Sequence, residues 1–132
     1  MTHWSQRYLG LRYRVGANGP RDYDCWNFAR LIWRERYGLD LPELPTPGDM
    51  AETVRAIAVQ APQLGWREVS VPRDGDGVVF ARARAGCHVG VYVGDLFPPR
   101  VLHCDDGGPK LHTFAHVESL RWRWRYFRHG EA

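Results

Sequence analysis

RDYDCWNFARLIWRERYG, residues 21–38, holds the chain's strongest helical signal and one cysteine in an unusual place. Cys25, Phe28, Leu31 and Ile32 recur at the spacing of one helix face. Asp24 is a good N-cap, and Gly38 is a good stop before the LDLP that follows. These signals predict a helix over residues 25–37 with Cys25 in its first turn. A buried cysteine needs no acid before it and no helix start around it, whereas a nucleophile does. Free N–H groups and the helix dipole at such an end stabilise an anion. The expected effect is a lowered thiol pKa and a larger share of reactive thiolate.

Working outward, Pro42, Pro45 and Pro47 break the chain after this helix. A second helix is expected from Met50 to Gln60, with Asp49 as cap, Glu52 three residues later and Pro62 as its end. Upstream, residues 1–21 are polar and turn-rich, with GANGP at 16–20 marking a loop. After Gly65 the character changes. Short β-rich runs, WREVSV, GVVFARA, CHVGVYVG, RVLHC, KLHTF and RWRWRYF, are punctuated by PRDGDG, GDLFPP and DDGGP. Helices first and strands afterwards predict an α+β fold, with N-terminal helices packed on an antiparallel β-sheet. The 132 residues fit a single domain spanning 1–132, with no repeat or interdomain linker.

Composition narrows the function. Hydrophobic residues make up 44% and aromatics 13%, which fits a packed globule and not a disordered segment. The formal net charge is +3, with Lys110 the only lysine among many arginines. A charge that small does not call for nucleic acid. Three cysteines at irregular spacing are no disulfide framework. MTHWSQRYLG has no apolar run, so no signal peptide is expected, and no segment is apolar enough for membrane insertion. The expected place of synthesis is a cytoplasm.

A reactive cysteine needs a base, usually histidine, and the base needs a third group to orient it. His88 in CHVGVYVG and His103 in RVLHC lie in neighbouring strands. Strand residues alternate faces, so Cys87 opposes His88 and Cys104 opposes His103. If both histidines face the helix, Cys25, His88 and His103 form one cluster, and Cys87 and Cys104 turn away as packing residues. His3, His112, His116 and His129 show no comparable pairing. The alternative is plain: a cysteine on an amphipathic helix is ordinarily a small buried hydrophobe, and a strand histidine an ordinary packed or surface residue.

YDCWNFARLIWRERYG, PRDGDGVVFARARAGCHVGVYVG and RVLHC, taken in order, resemble the NlpC family of bacterial cell-wall cysteine peptidases, compact relatives of papain. The His-Val-Gly-Val-Tyr-Val-Gly run is the most specific piece. The resemblance implies a papain-like fold with Cys25 as nucleophile, His88 as general base and His103 as the residue orienting its ring. YRVG at 13–16 is similar to a family segment whose tyrosine helps hold the oxyanion, which makes Tyr13 the candidate. Asp24 becomes a candidate contact for the amine end of the substrate. Trp26 stands where a small polar residue often helps bind substrate, so the usual specificity does not carry over unchanged. The implied reaction cuts an amide in peptidoglycan stem peptides, commonly between the D-glutamate γ-carboxyl and the diamino acid, without a metal or other cofactor. The Asp-Cys-Trp form and the Gly-Leu-Asp-Leu-Pro exit are most similar to small versions encoded with tail genes of tailed phages and gene transfer agents. That likeness implies tail-tip or assembly proteins as partners and a virion or phage-like particle as the destination.

Three other readings compete. A zinc site is raised by any group of cysteines and histidines, but adjacent Cys-His and His-Cys pairs in strands cannot all reach one metal. RWRWRYFRH, residues 121–129, interleaves cations with aromatics as single-strand binders do. It also reads as an amphipathic strand with Trp122, Trp124 and Tyr126 inward and Arg121, Arg123 and Arg125 in solvent. A structural tail component with the same fold and little or no activity is the third.

Overall fold

A computed structural model describes residues 2–43, 65–82 and 86–130, without the side chains of residues 86 and 87. The helix expected at 50–60 and the side chain of Cys87 lie outside the described residues. The chain begins with a 3₁₀ turn, Trp4–Tyr8, which the polar N-terminal composition concealed. Trp4 donates its indole N–H to Asp95, and the Tyr8 hydroxyl donates to Glu35. These bonds tie the N-terminus to the helix and to a distant loop. Two short strands, β1 (Arg12–Tyr13) and β2 (Asp22–Tyr23), pair in parallel around the GANGP loop.

Helix α1 runs Cys25–Tyr37. Asp24 caps it by accepting from the Asn27 N–H at 2.7 Å. Gly38 ends it at φ 66°, the left-handed conformation that favours glycine. The predicted helix and its caps therefore agree with the structure.

Strands β3 (Trp66–Val69), β4 (Gly77–Arg82), β5 (Gly86–Val93), β6 (Arg100–Asp105), β7 (Gly108–Thr113) and β8 (Arg123–His129) form one six-stranded sheet. Its order is β3-β8-β4-β5-β6-β7, and every neighbouring pair is antiparallel. The α+β expectation with an antiparallel sheet is met. A six-residue helix, α2 (Phe114–Ser119), follows β7 directly, capped by the Thr113 hydroxyl. Phe114 was expected to end a strand and instead opens this helix.

The sheet has two unlike faces. On one, Val89, Val91 and Val93 of β5 and Leu102 and Cys104 of β6 pack under Phe28, Ala29, Ile32 and Trp33 of α1. On the other, Val78, Phe80, Val101 and Val117 form a smaller cluster, flanked by Tyr92, Phe114, Trp122, Trp124 and Tyr126. The aromatic residues of the last strand were expected to point into the main core. Trp124 and Tyr126 instead face the smaller layer and stay half-buried, and β8 contributes Phe127, 3% exposed, to the core under α1. The reason is that α1 covers only one face, so the other needs its own aromatic cover. Two arginines of this segment, and Arg82 of β4, are engaged. Arg125 forms a two-pronged ion pair with Glu68, Arg128 does so with buried Asp76, and Arg82 stacks over Trp122.

Candidate active site

Alternation along β5 decides the site. The apolar residues Val89, Val91 and Val93 are drawn under α1, which sends His88, Gly90 and Tyr92 to the opposite face. In β6 the same rule sends Leu102 and Cys104 to the helix and Val101 and His103 away. The expectation that both histidines face the helix is therefore corrected: Cys104 faces it, and the histidines sit with Phe80 and Trp122 on the far side. Cys104 serves in packing, its thiol donating to the Tyr23 carbonyl at 3.8 Å.

His88 and His103 do come together. Nε2 of His88 and Nδ1 of His103 share a hydrogen bond of 2.8 Å. Gly90 makes this approach possible. A Cβ there would lie 2.7 Å from Val101 Cγ2 and 2.9 Å from His103 Cβ, closer than such atoms come. Burial lowers the His88 pKa to about 4, and burial first, then the neighbouring histidines, lower that of His103. Both rings are neutral at neutral pH. The remaining nitrogen of His88, Nδ1, is buried and has no hydrogen-bond partner.

Cys25 reaches this region from the helix side. The β5–β6 ladder ends at Gly90–His103, so β5 has no β6 partner at His88 and Val89. The thiol is held there, near the Val89 N–H, one peptide along from His88. It is 1% exposed, and burial, then the Asp24 charge, push its pKa upward against the backbone N–H groups of Val89 and Trp26. The sequence argument expected the opposite sign. A helix terminus contributes about 0.3–1 kcal/mol to an anion, whereas full burial moves a pKa by several units. Burial wins, and the resting state is a protonated thiol held at the Val89 N–H, while the buried His88 Nδ1 has no hydrogen-bond partner.

The other expected residues are placed as follows. Tyr13 packs against the core beside Cys25. Burial, then the nearby Cys25 and Asp24, raise its pKa to about 12, so its hydroxyl stays a proton donor. Asp24 is half-buried, and burial raises its pKa while its cap bond and Arg30 oppose the shift. Trp26 turns inward. It is 3% exposed, its indole N–H donates to the Pro42 carbonyl at 3.2 Å, and its ring meets Trp33 edge-on.

The sequence profile of the NlpC/P60 family matches residues 10–123. The chain belongs to the NlpC/P60 family. Murein DD-endopeptidase MepS/Murein LD-carboxypeptidase of Escherichia coli strain K12 is 31% identical over 88 residues, 67% of this chain and 40% of that protein. A probable endopeptidase p60 of Listeria innocua is 30% identical over 118 residues, 89% of this chain and 21% of that protein. The chain thus spans less than half the length of either relative. In fold it is similar to the crystal structure of the NlpC/p60 domain of peptidoglycan hydrolase SagA, with a TM-score of 0.55 and 21% identity over 92% of this chain and 91% of that one.

The candidate site also holds residues that sequence reasoning set aside. His103 Nε2 lies 3.3 Å from His112 Nδ1, and the His112 and His116 rings are 4.3 Å apart between centroids. His112 pairs with Val101 across the β6–β7 ladder, two positions from the His103–Lys110 pair and therefore on the same face as His103. His116 comes from α2, a helix whose start was read as strand. Only the register and that helix bring them in. Ligand atoms of His88, His103 and Asp105 lie within 4.8 Å of one another, the one grouping among the described residues with the spacing of a metal site. Its donors are engaged otherwise: the two imidazoles share a hydrogen bond, and Asp105 holds the Lys110 ammonium.

Proposed function

We propose that this NlpC/P60 chain is a cysteine peptidase that hydrolyses an amide bond in peptidoglycan stem peptides. The observation that carries the reading is the buried, neutral His88–His103 pair, whose free Nδ1 lies on the residue next to the peptide that holds the Cys25 thiol. In the proposed reaction the Cys25 proton passes to Nδ1 of His88 as sulfur attacks the substrate carbonyl. His103 accepts from Nε2 of His88 and steadies the imidazolium that forms. The oxyanion is held by the Tyr13 hydroxyl and the Cys25 backbone N–H. His88 then protonates the leaving amine, leaving a thioester on Cys25. Water attacks that thioester with His88 as base, freeing the acid and restoring the thiol. Within this reading Asp24 receives the amine end of the peptide, and the bond cut is the D-γ-glutamyl–diamino acid link. The likeness to small tail-encoded forms supports a role in a virion or phage-like tail, delivered to the wall by tail-tip or assembly proteins after synthesis in a bacterial cytoplasm.

One observation favours a second reading. With Cys25 1% exposed and Trp26 packed beside it, the isolated domain holds its thiol closed. A structural tail component that keeps the fold with little activity has no need to open it.

Digestion of purified peptidoglycan, with released fragments identified by mass spectrometry, separates the two. The peptidase reading expects fragments from the wild type and none from Cys25→Ala. It fails if the wild type releases nothing while Cys25 also resists alkylation, and the structural reading then stands.

A further inference from the structure

We infer that His112 is a positioning residue for the base, and that His88, His103 and His112 form a polarised imidazole chain opening to solvent at His116. Only the kinetic part of this inference rests on the peptidase reading. The links run in one sense: Nε2 of His88 to Nδ1 of His103 at 2.8 Å, then Nε2 of His103 to Nδ1 of His112 at 3.3 Å. Exposure increases along the line. His88 is 4% exposed and His103 5%, His112 is half-buried, and His116 is exposed. His88, His103, His112 and His116 all line one cavity of about 230 Å³, closed on its apolar side by Phe80 and Trp122.

A neutral imidazole has one N–H and one lone pair. Two proton arrangements satisfy both links. In the first, every ring carries its proton on Nε2 and donates towards His112, leaving a lone pair on His88 Nδ1. In the second, every ring carries it on Nδ1 and donates towards His88, leaving an N–H on His88 Nδ1. That atom is buried and has no partner. An orphaned buried N–H is rarer and less tolerated than an under-used acceptor, so the first arrangement is favoured. It is also the one that leaves His88 able to take a proton at Nδ1. At the other end the half-buried His112 meets water in either case.

His112 holds this direction by accepting from His103. The groups facing it are His103 and Asp105 from β6, Lys110 from its own strand and His116 from α2. Lys110 and Asp105 are paired with each other, so the surroundings add little net charge. Burial, then His116 and Lys110, lower the His112 pKa, so the ring is a neutral acceptor at neutral pH. Without that acceptor, His103 Nε2–H would lose its partner. The stable alternative puts the His103 proton on Nδ1, reverses the link to His88 and fills the nitrogen that the base needs.

The test is the imidazole nitrogen spectrum of the full chain, read by long-range proton–nitrogen NMR, for the wild type, His112→Phe and His112→Gln. The expected wild-type result is the Nε2–H form at both His88 and His103. The Gln variant, whose carbonyl accepts from His103, should keep it. The Phe variant should show a populated Nδ1–H form at His88, with kcat on peptidoglycan down roughly tenfold or more and KM unchanged. A wild-type spectrum with Nδ1–H at His88 overturns the inference without need of any variant. So does a folded His112→Phe protein whose His88 and His103 match the wild type. If the tautomers behave as expected but the wild type releases no peptidoglycan fragments, the imidazole chain stands and the peptidase reading falls.

Discussion

Leu102 and His103 are covalent neighbours in β6 that face opposite sides of the sheet. Leu102 is fully buried under α1, in a layer of valines, Phe28 and Trp33. His103 is almost as buried, yet both its nitrogens are bonded to other imidazoles and its ring lies edge-on to Phe80. Around Leu102 the face is apolar and packs against α1. Around His103 it is a line of imidazoles set among aromatics. The contrast teaches that burial by itself does not separate the two faces. What separates them is whether the buried atoms have polar valences to satisfy.

The comparison can be broken by changing one face and reading both. Leu102→Ala has the largest expected effect on stability, a loss of about 2–5 kcal/mol in denaturant unfolding. The imidazole tautomers of the folded fraction should not change, because the deletion lies on the helix side. If they do change, the faces are not independent.

A pH series sharpens the same point. His88 has a folded pKa of about 4, below the unfolded value of 6.5. The unfolded chain binds more protons between those values, so stability from this group is complete above pH 6.5 and is lost as pH falls towards 4. The expected loss is about 3 kcal/mol. It is measured by unfolding midpoints across that window. His88→Leu should make the curve shallower, with His103 and His112 keeping part of the dependence, and a wild-type curve already flat there would contradict a buried neutral imidazole.

Gly90→Ala acts where the faces meet in one ladder. The added methyl collides with Val101 and His103, and overpacking of this kind costs about 1–3 kcal/mol. Because it displaces the His103 ring, the tautomer signature and hydrolysis should fall together, out of proportion to the loss of stability. An unchanged His88–His103 signal would show that the ring does not depend on this glycine.

The smallest expected effect is that of Asp24→Asn. Asparagine caps a helix as well as aspartate does, so stability should move by only a few tenths of a kcal/mol. The Asp24 charge is one cause of the raised Cys25 pKa. Its removal should lower that pKa and speed alkylation of Cys25 by iodoacetamide in mildly alkaline buffer. No change in rate would show that burial alone sets the thiol.

Much of this was legible in the chain itself. Helix α1 with both its caps follows from local spacing and from Asp24 and Gly38. The order of helix before strands, the antiparallel sheet and the approach of His88 to His103 follow from period-two patterns and turn residues. Which face those histidines take was misread, because alternation states only that neighbours oppose each other. The Cys25 pKa was misread in sign, because a dipole is local and visible in sequence while desolvation depends on everything packed around the thiol.

The sequence by itself therefore determined the family, helix α1 with its caps, the main strands and the alternation of residues along each, since these rest on short-range geometry. Only the tertiary structure decided which side of the sheet α1 covers, that Trp26 is a core residue, and that His112 and His116 extend the histidine pair. Those outcomes depend on strand register and on the helix that follows β7. Both are settled by the competition of apolar surfaces for burial, which no local window of sequence contains.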